Sequence, residues 1–114
     1  MSDPTAESLA ARHCVPCEGG VPKLTAVEIE SRLPLVPGWR LASGDKLARR
    51  FRFPDFVTLM AFVNAMAELA ESEGHHPDFS VHYSQLDVEI WTHAVDGLSE
   101  NDFILAAKID RLPA

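Results

Sequence analysis

FVTLMAFVNAMAELAE, residues 56–71, places Phe56, Leu59, Met60, Phe62, Val63, Met66, Leu69 and Ala70 at three- and four-residue spacings. That periodicity predicts an amphipathic helix with one continuous apolar side. Pro54 and Asp55 open it, because proline fits a first helical turn and an acidic residue there suits the helix dipole. A helix with such a face needs a sheet to cover, and the flanking sequence supplies one. Before it, KLARRFRF (46–53) sets Leu47, Phe51 and Phe53 in alternation with Ala48, Arg50 and Arg52. After it, FSVHY (79–83) and LDVEIWTH (86–93) are joined by a turn at Ser84 and Gln85. In the last run Leu86, Val88, Ile90 and Thr92 share one face, and Asp87, Glu89, Trp91 and His93 the other.

Working outward, WRLA (39–42) and the turn residues at 43–45 make a first hairpin with 46–53. Thr25 followed by Glu28 is a capping-box pattern for a helix over about 26–33. Ser99 followed by Asp102 repeats that pattern before ENDFILAAKID (100–110). The order α-β-β-α-β-β-α implies an α+β, two-layer domain: a four-stranded antiparallel sheet with helices on one face. Residues 1–23, broken by Pro4, Pro16, Gly19, Gly20 and Pro22, read as an arm with one short helical piece near Glu7–His13. Residues 24–114 make the domain.

The chain of 114 residues is 46% hydrophobic and 24% charged, with a net charge of −7, the profile of one globular domain. The acidic balance disfavours contact with a phosphate backbone. Lys46, Arg49, Arg50 and Arg52 are divided by strand alternation between two faces, and they read as a solvated edge. No apolar run is long enough to span a bilayer and the first residues have no leader pattern, so a cytoplasmic protein is expected. Cys14 and Cys17 form a single C-x-x-C in a reducing compartment. They are expected as free thiols, since a structural zinc site needs four ligands and there is no second pair.

The chemistry concentrates in EGHHPDFSVHY (73–83). His75, His76 and Pro77 follow the long helix, and His93 ends the fourth predicted strand just before the loop leading to Asp102. If the hairpins are neighbours, three histidines and a carboxylate line one concavity. Histidine pairs can be ligands, acid/base groups or loop filler. As acid/base groups they suit a dehydration, in which one imidazole donates to a leaving hydroxyl while another removes a proton elsewhere on the substrate. Tyr83 and Trp91 are candidate walls for a planar heterocycle. His82 reads as a solvated strand position.

Glu71, then His75-His76-Pro77 after three residues, Tyr83 after a short strand, His93 after nine more, and Asp102 beyond it make a pattern similar to that of the pterin-4a-carbinolamine dehydratases. THAVDGLSENDFILAAKID (92–110) resembles the family's ending, and the likeness covers roughly residues 24–110. The resemblance implies an enzyme that removes water from 4a-hydroxytetrahydropterin to give a quinonoid dihydropterin in tetrahydrobiopterin recycling, coupled to an aromatic amino acid hydroxylase. It implies His75 and His93 as the acid/base pair and Asp102 as the carboxylate that orients a histidine. His76, with Pro77, Tyr83, Trp91 and Thr92 around it, is expected to bind the pterin. Glu71 is read as structural. No metal or organic cofactor is implied. A homodimer or homotetramer is, with sheets joined edge to edge at an exposed last strand. The alternatives are a pterin-binding module without catalysis and a dimerisation cofactor for a transcription factor. For the second, the helix of residues 56–71 is the candidate surface.

Overall fold

The computed structural model describes residues 5–15, 21–43 and 45–113. Along the chain these form α1 (Ala6–Ala11), α2 (Ala26–Arg32), β1 (Arg40–Ala42), β2 (Lys46–Arg52), α3 (Phe56–Glu73), β3 (Asp78–His82), β4 (Gln85–Ile90) and α4 (Glu100–Ile109). Short 3₁₀ turns follow α2 and β4, at Leu33–Leu35 and His93–Val95. The fold is the expected α+β arrangement, a four-stranded antiparallel sheet carrying helices.

Local chemistry accounts for the element ends. Thr25 Oγ1 accepts from Glu28 N–H at 3.2 Å while Glu28 Oε1 accepts from Thr25 N–H at 2.9 Å, the reciprocal box that starts α2. Asp55 Oδ1 accepts from Thr58 N–H at 2.7 Å and starts α3. The Thr58 bonds hold the Asp55 carboxyl below its usual pKa. At the other end of α3, Gly74 takes φ +65°, a left-handed conformation that glycine adopts without a Cβ penalty. Its N–H donates to Glu71 O at 3.3 Å and His75 N–H to Ala70 O at 3.2 Å, a Schellman closure. The direction in which His75 leaves the helix is thereby fixed.

The strand order is β1-β2-β4-β3, antiparallel throughout. One face buries Leu47, Leu86, Val88 and Ile90 against Leu59, Phe62, Val63 and Met66 of α3 and Phe103, Leu105, Ala106 and Ile109 of α4. Each large apolar side chain so enclosed contributes about 1.5–3 kcal/mol relative to exposure. Phe51 and Phe53 pack on Phe62 with ring centroids 5.0 and 5.3 Å apart. The opposite face carries Arg40, Arg50, Asp78, Asp87 and Glu89 around a shallow depression of about 450 Å³.

Two expectations about strand positions are corrected. The last strand is interior, since β4 pairs with both β2 and β3, and the edges are β1 and β3. The basic cluster is not a solvated edge, because β2 is interior too. Arg49 turns to the helix side, where it donates to Asp110 Oδ1 at 2.7 Å and lies 4.5 Å from the Phe51 ring centroid.

α4 is buried nearly all round, packed against α3, β4 and α1. The outer cover is α1, whose Leu9 is fully buried and whose Ala10 carbonyl accepts from Lys108 Nζ at 3.0 Å. Among the described residues no helix is long and apolar enough to cross a membrane. Cys17 lies outside the described residues, and with it the state of the cysteine pair.

Candidate active site

Asp102, fully buried, is the hub of the site. It enters α4 in the first turn, where its backbone N–H donates to Ser99 O at 3.1 Å. Its Oδ2 accepts from Ser99 N–H and from Thr92 Oγ1–H, both at 2.8 Å. Its Oδ1 accepts from His75 Nε2–H at 2.6 Å, the short end of charge-assisted bonds. Thr92 spends its only proton on Asp102, so the Ser99 hydroxyl donates to Thr92 Oγ1, at 2.8 Å. His75 itself is 6% exposed. One carboxylate therefore caps a helix with one oxygen and holds a histidine with the other.

That network also gathers the peptide carrying His93. Thr92 bonds Gly97 in both directions, N–H to Gly97 O at 2.8 Å and Gly97 N–H to Thr92 O at 3.4 Å, which closes the loop 92–97 back toward Ser99 and Asp102. His93 opens the 3₁₀ turn instead of ending β4, because β4 stops at Ile90. Its ring rests on Trp91, with centroids 3.8 Å apart and planes 39° from parallel. Trp91 is held in turn by Nε1–H to Asp78 Oδ2 at 3.0 Å, and Lys46 Nζ lies 4.7 Å from its ring centroid. Trp91 is thus a platform under His93.

His76 points away from Asp102. It is exposed, and its Nε2–H donates to Glu71 Oε2 at 2.8 Å. Pro77 leads directly into β3, half-buried. The β3–β4 register pairs Asp78 with Glu89, so the residues before Asp78 run beside those after Glu89. This puts the His-His-Pro segment alongside Trp91, Thr92 and His93.

Tyr83 is not brought to this place. It lies in the two-residue turn at the far end of the hairpin, with φ +54° and 73% of its surface exposed. The five residues of β3 separate it from Pro77, six steps or roughly 20 Å at strand rise. Reading FSVHY as continuous strand overlooked that a two-residue hairpin turn needs a residue at positive φ.

Four residues of the region were not singled out from sequence for these contacts. Ser99 was legible only as a cap, while its hydroxyl contact with Thr92 had no local signal. Asp78, which holds Trp91, had none. Glu73 and Asn101 are polar, and pairing with a distant segment buries them: Glu73 accepts from Cys14 N–H at 2.7 Å and Asn101 Oδ1 accepts from Val15 N–H at 3.0 Å. Burial pushes the Glu73 carboxyl up, but the Cys14 N–H, His13 and Lys108 together outweigh it and hold it below its usual value. Among the described residues no cluster of three or more His, Cys, Asp or Glu side chains is arranged to hold a metal ion.

The arrangement offers one enclosed imidazole fixed by a carboxylate and one exposed imidazole on an aromatic shelf, on segments joined through a single side chain. Comparison with known proteins bears on what it serves. Residues 22–112 match the family model described as "Pterin 4 alpha carbinolamine dehydratase". A Methylococcus capsulatus protein named "Putative pterin-4-alpha-carbinolamine dehydratase" is 49% identical over 108 residues, covering 94% of this chain and 95% of its own. One of the same name from Nitrosomonas eutropha is 53% identical over 105 residues, covering 91% and 92%. The crystal structure of a transcriptional coactivator/pterin dehydratase from Brucella melitensis superposes with a TM-score of 0.75 at 33% identity, over 78% of this chain and 96% of that one. A pterin dehydratase-like protein identified as a RuBisCO assembly factor in the alpha-carboxysome gives a TM-score of 0.56 at 27% identity, over 64% and 86%. With the family model spanning every element from α2 to α4, the chain belongs to the pterin-4a-carbinolamine dehydratase family.

Proposed function

We infer that this protein dehydrates a 4a-hydroxytetrahydropterin, using His75 and His93 as its acid/base pair. The observation that carries this reading is the double use of Asp102, which bonds His75 through one oxygen and, through Thr92, anchors the segment bearing His93 through the other. A lone surface His-His-Pro loop would need no such buried carboxylate.

The reaction breaks the bond from C4a to its hydroxyl oxygen. One imidazole delivers a proton to that oxygen as it leaves as water, and a second removes a proton from a ring nitrogen, so that substrate becomes quinonoid dihydropterin and water with no net gain or loss of protons. Asp102 holds His75 with a proton on Nε2, which fixes its tautomer and ring plane. His93, exposed on Trp91, can reach bound substrate and exchange protons with solvent. His76 and Pro77 border the opening and bind the pterin, and the indole of Trp91 acts on substrate through His93. Tyr83 has no part in the pocket of its own chain. Its exposure suits a contact with a second copy, in keeping with a homodimer or homotetramer. Physiologically a reductase would return the quinonoid product to the tetrahydropterin that an aromatic amino acid hydroxylase uses in the cytoplasm, and the dehydration itself needs no metal or organic cofactor.

The second reading is a binding or assembly module without catalysis; the Brucella protein is described as a transcriptional coactivator as well as a pterin dehydratase, and the carboxysome protein as a RuBisCO assembly factor. The exposed Phe56 and Val57 at the start of α3 favour it as a place for a partner. A coupled assay separates the two. A hydroxylase generates fresh 4a-hydroxytetrahydropterin, and its decay is followed by ultraviolet absorbance with wild type, His75→Ala and His93→Ala. Acceleration by wild type that falls at least about 100-fold in both variants is expected, the usual scale of one acid/base group. Folded wild type that leaves the spontaneous rate unchanged removes the enzyme reading.

A further inference from the structure

Residues 13–15 lie across the end of α3 and the start of α4. His13 Nδ1–H and Cys14 N–H donate to the two oxygens of Glu73, at 2.9 and 2.7 Å. Val15 N–H donates to Asn101 Oδ1 at 3.0 Å, Asn101 Nδ2 donates back to Val15 O at 2.7 Å, and the Cys14 thiol donates to the Asn101 carbonyl at 3.6 Å. Glu73 is two residues before His75, and Asn101 is the residue before Asp102. Both are enclosed, the Glu73 side chain 5% and Asn101 1% exposed.

These contacts are not needed to seat α1, which has its own attachments: Leu9 in the core, Ala10 O on Lys108, and Arg12 on Glu100 at 3.3 Å. What residues 13–15 do in addition is bond two helix ends at once. The two ends carry the two partners of the His75–Asp102 bond. A bond of 2.6 Å tolerates little separation, and an ångström of misplacement at a reacting group can cost roughly 100-fold in rate.

We propose that residues 13–15 are a clasp that positions the His75–Asp102 pair, with Glu73 and Asn101 as its two anchor points. Asn101 is the more exacting of the two, because its amide pairs with both backbone groups of one residue, the way a neighbouring strand would. The proposal rests on the dehydratase reading for its kinetic consequence, but not for its structural one.

The experiment compares the full-length wild type with Asn101→Ala, Glu73→Ala, Glu73→Gln and Leu9→Ala. Two quantities are read: steady-state kinetics in the coupled assay, and the low-field proton resonance of His75 Nε2–H, assigned by its absence in His75→Gln. Asn101→Ala is expected to lower kcat at least about tenfold with KM nearly unchanged, and to shift the resonance upfield or broaden it. Glu73→Gln keeps an acceptor for Cys14 N–H and should retain more activity than Glu73→Ala. Leu9→Ala, which weakens the arm's packing without touching the clasp, should lower the melting temperature as much or more and leave kcat and the resonance in place. An unchanged resonance in both Asn101→Ala and Glu73→Ala overturns the proposal, as does a loss in Leu9→Ala equal to theirs at matched stability. If wild type is inactive, the dehydratase reading fails while the resonance still decides the clasp. If Asn101→Ala does not fold, the two Glu73 variants carry the comparison.

Discussion

Replacing Asp102 tests whether one carboxylate holds the site together. It accepts three bonds from buried groups: His75 Nε2–H at 2.6 Å, and Thr92 Oγ1–H and Ser99 N–H at 2.8 Å. In Asp102→Ala all three donors lose their acceptor, and each orphaned buried group costs about 1–3 kcal/mol. The sum, about 3–9 kcal/mol, approaches the roughly 5–15 kcal/mol by which a domain of this size is stable. Asp102→Asn behaves differently. With its carbonyl in the place of Oδ2 it still accepts from Thr92 and Ser99, and its amide faces His75. The ring must then present a bare Nε2 and carry its proton on Nδ1. Bonds to a charged acceptor exceed neutral ones by about 1 kcal/mol each, and loss of a buried charge offsets part of that, so Asp102→Asn should cost about 2 kcal/mol. Urea unfolding at one fixed protein concentration measures both. The Ala variant should fall at least about 1 kcal/mol below the Asn variant, with equal slopes. The Asn variant, though folded, should lose roughly 100-fold or more in dehydratase rate, because its histidine is in the wrong tautomer. Equal stabilities for the two variants, or an Ala variant within about 1 kcal/mol of wild type, would refute the hub.

Three other substitutions probe separate features. Thr92→Val deletes a hydroxyl that donates to Asp102 and accepts from Ser99, and should destabilise by about 1–3 kcal/mol in the same unfolding assay. Gly74→Ala meets no atom within 4 Å but must hold φ +65°, so it should cost about 1–2 kcal/mol from backbone strain alone. Glu73 has its carboxyl pKa held below the ordinary glutamate value of 4.5 in the folded state by the Cys14 N–H, His13 and Lys108. Its contribution is therefore complete above about pH 4.5 and is lost as pH falls through the lower folded value. Glu73→Gln should flatten the fall in stability below pH 4.5, seen as a smaller melting-temperature drop between pH 5 and pH 3 than in wild type.

What could be read from sequence was what is local. The three- and four-residue spacing of Leu59, Phe62, Val63 and Met66 is the buried side of α3, and Leu86, Val88, Ile90 and Thr92 are the buried face of the fourth strand and its continuation. Thr25 with Glu28, three apart, closed the box they suggested. Asp102 could be singled out as both cap and histidine partner because a carboxylate has two oxygens. Neighbour choice between strands was not legible. Alternation states which way a side chain faces but not which strand lies beside it, so from sequence β4 reads as an edge and Arg49 as a solvated residue, whereas β4 is interior and Arg49 pairs with Asp110. The Trp91–His93 stack and the Asp78 bond depend on that same pairing. Leu9 had no periodic company in AESLAAR, and only the arrival of α4 makes it a core residue.

The attachment of α1 to α4 has a consequence for how the chain is made. Val15 meets Asn101 across 86 residues and Ala10 meets Lys108 across 98. At synthesis rates of about 5–20 residues per second, the partners of the first segment emerge roughly 4–20 seconds after it does. During that interval Leu9 lacks α4, the helix against which α1 packs. The sheet and α3 can assemble while translation continues, but α1 and α4 must settle together, once α4 has been made. A nascent chain stopped short of residue 100 would lose both ends of the molecule at once, and with them the carboxylate on which His75 depends.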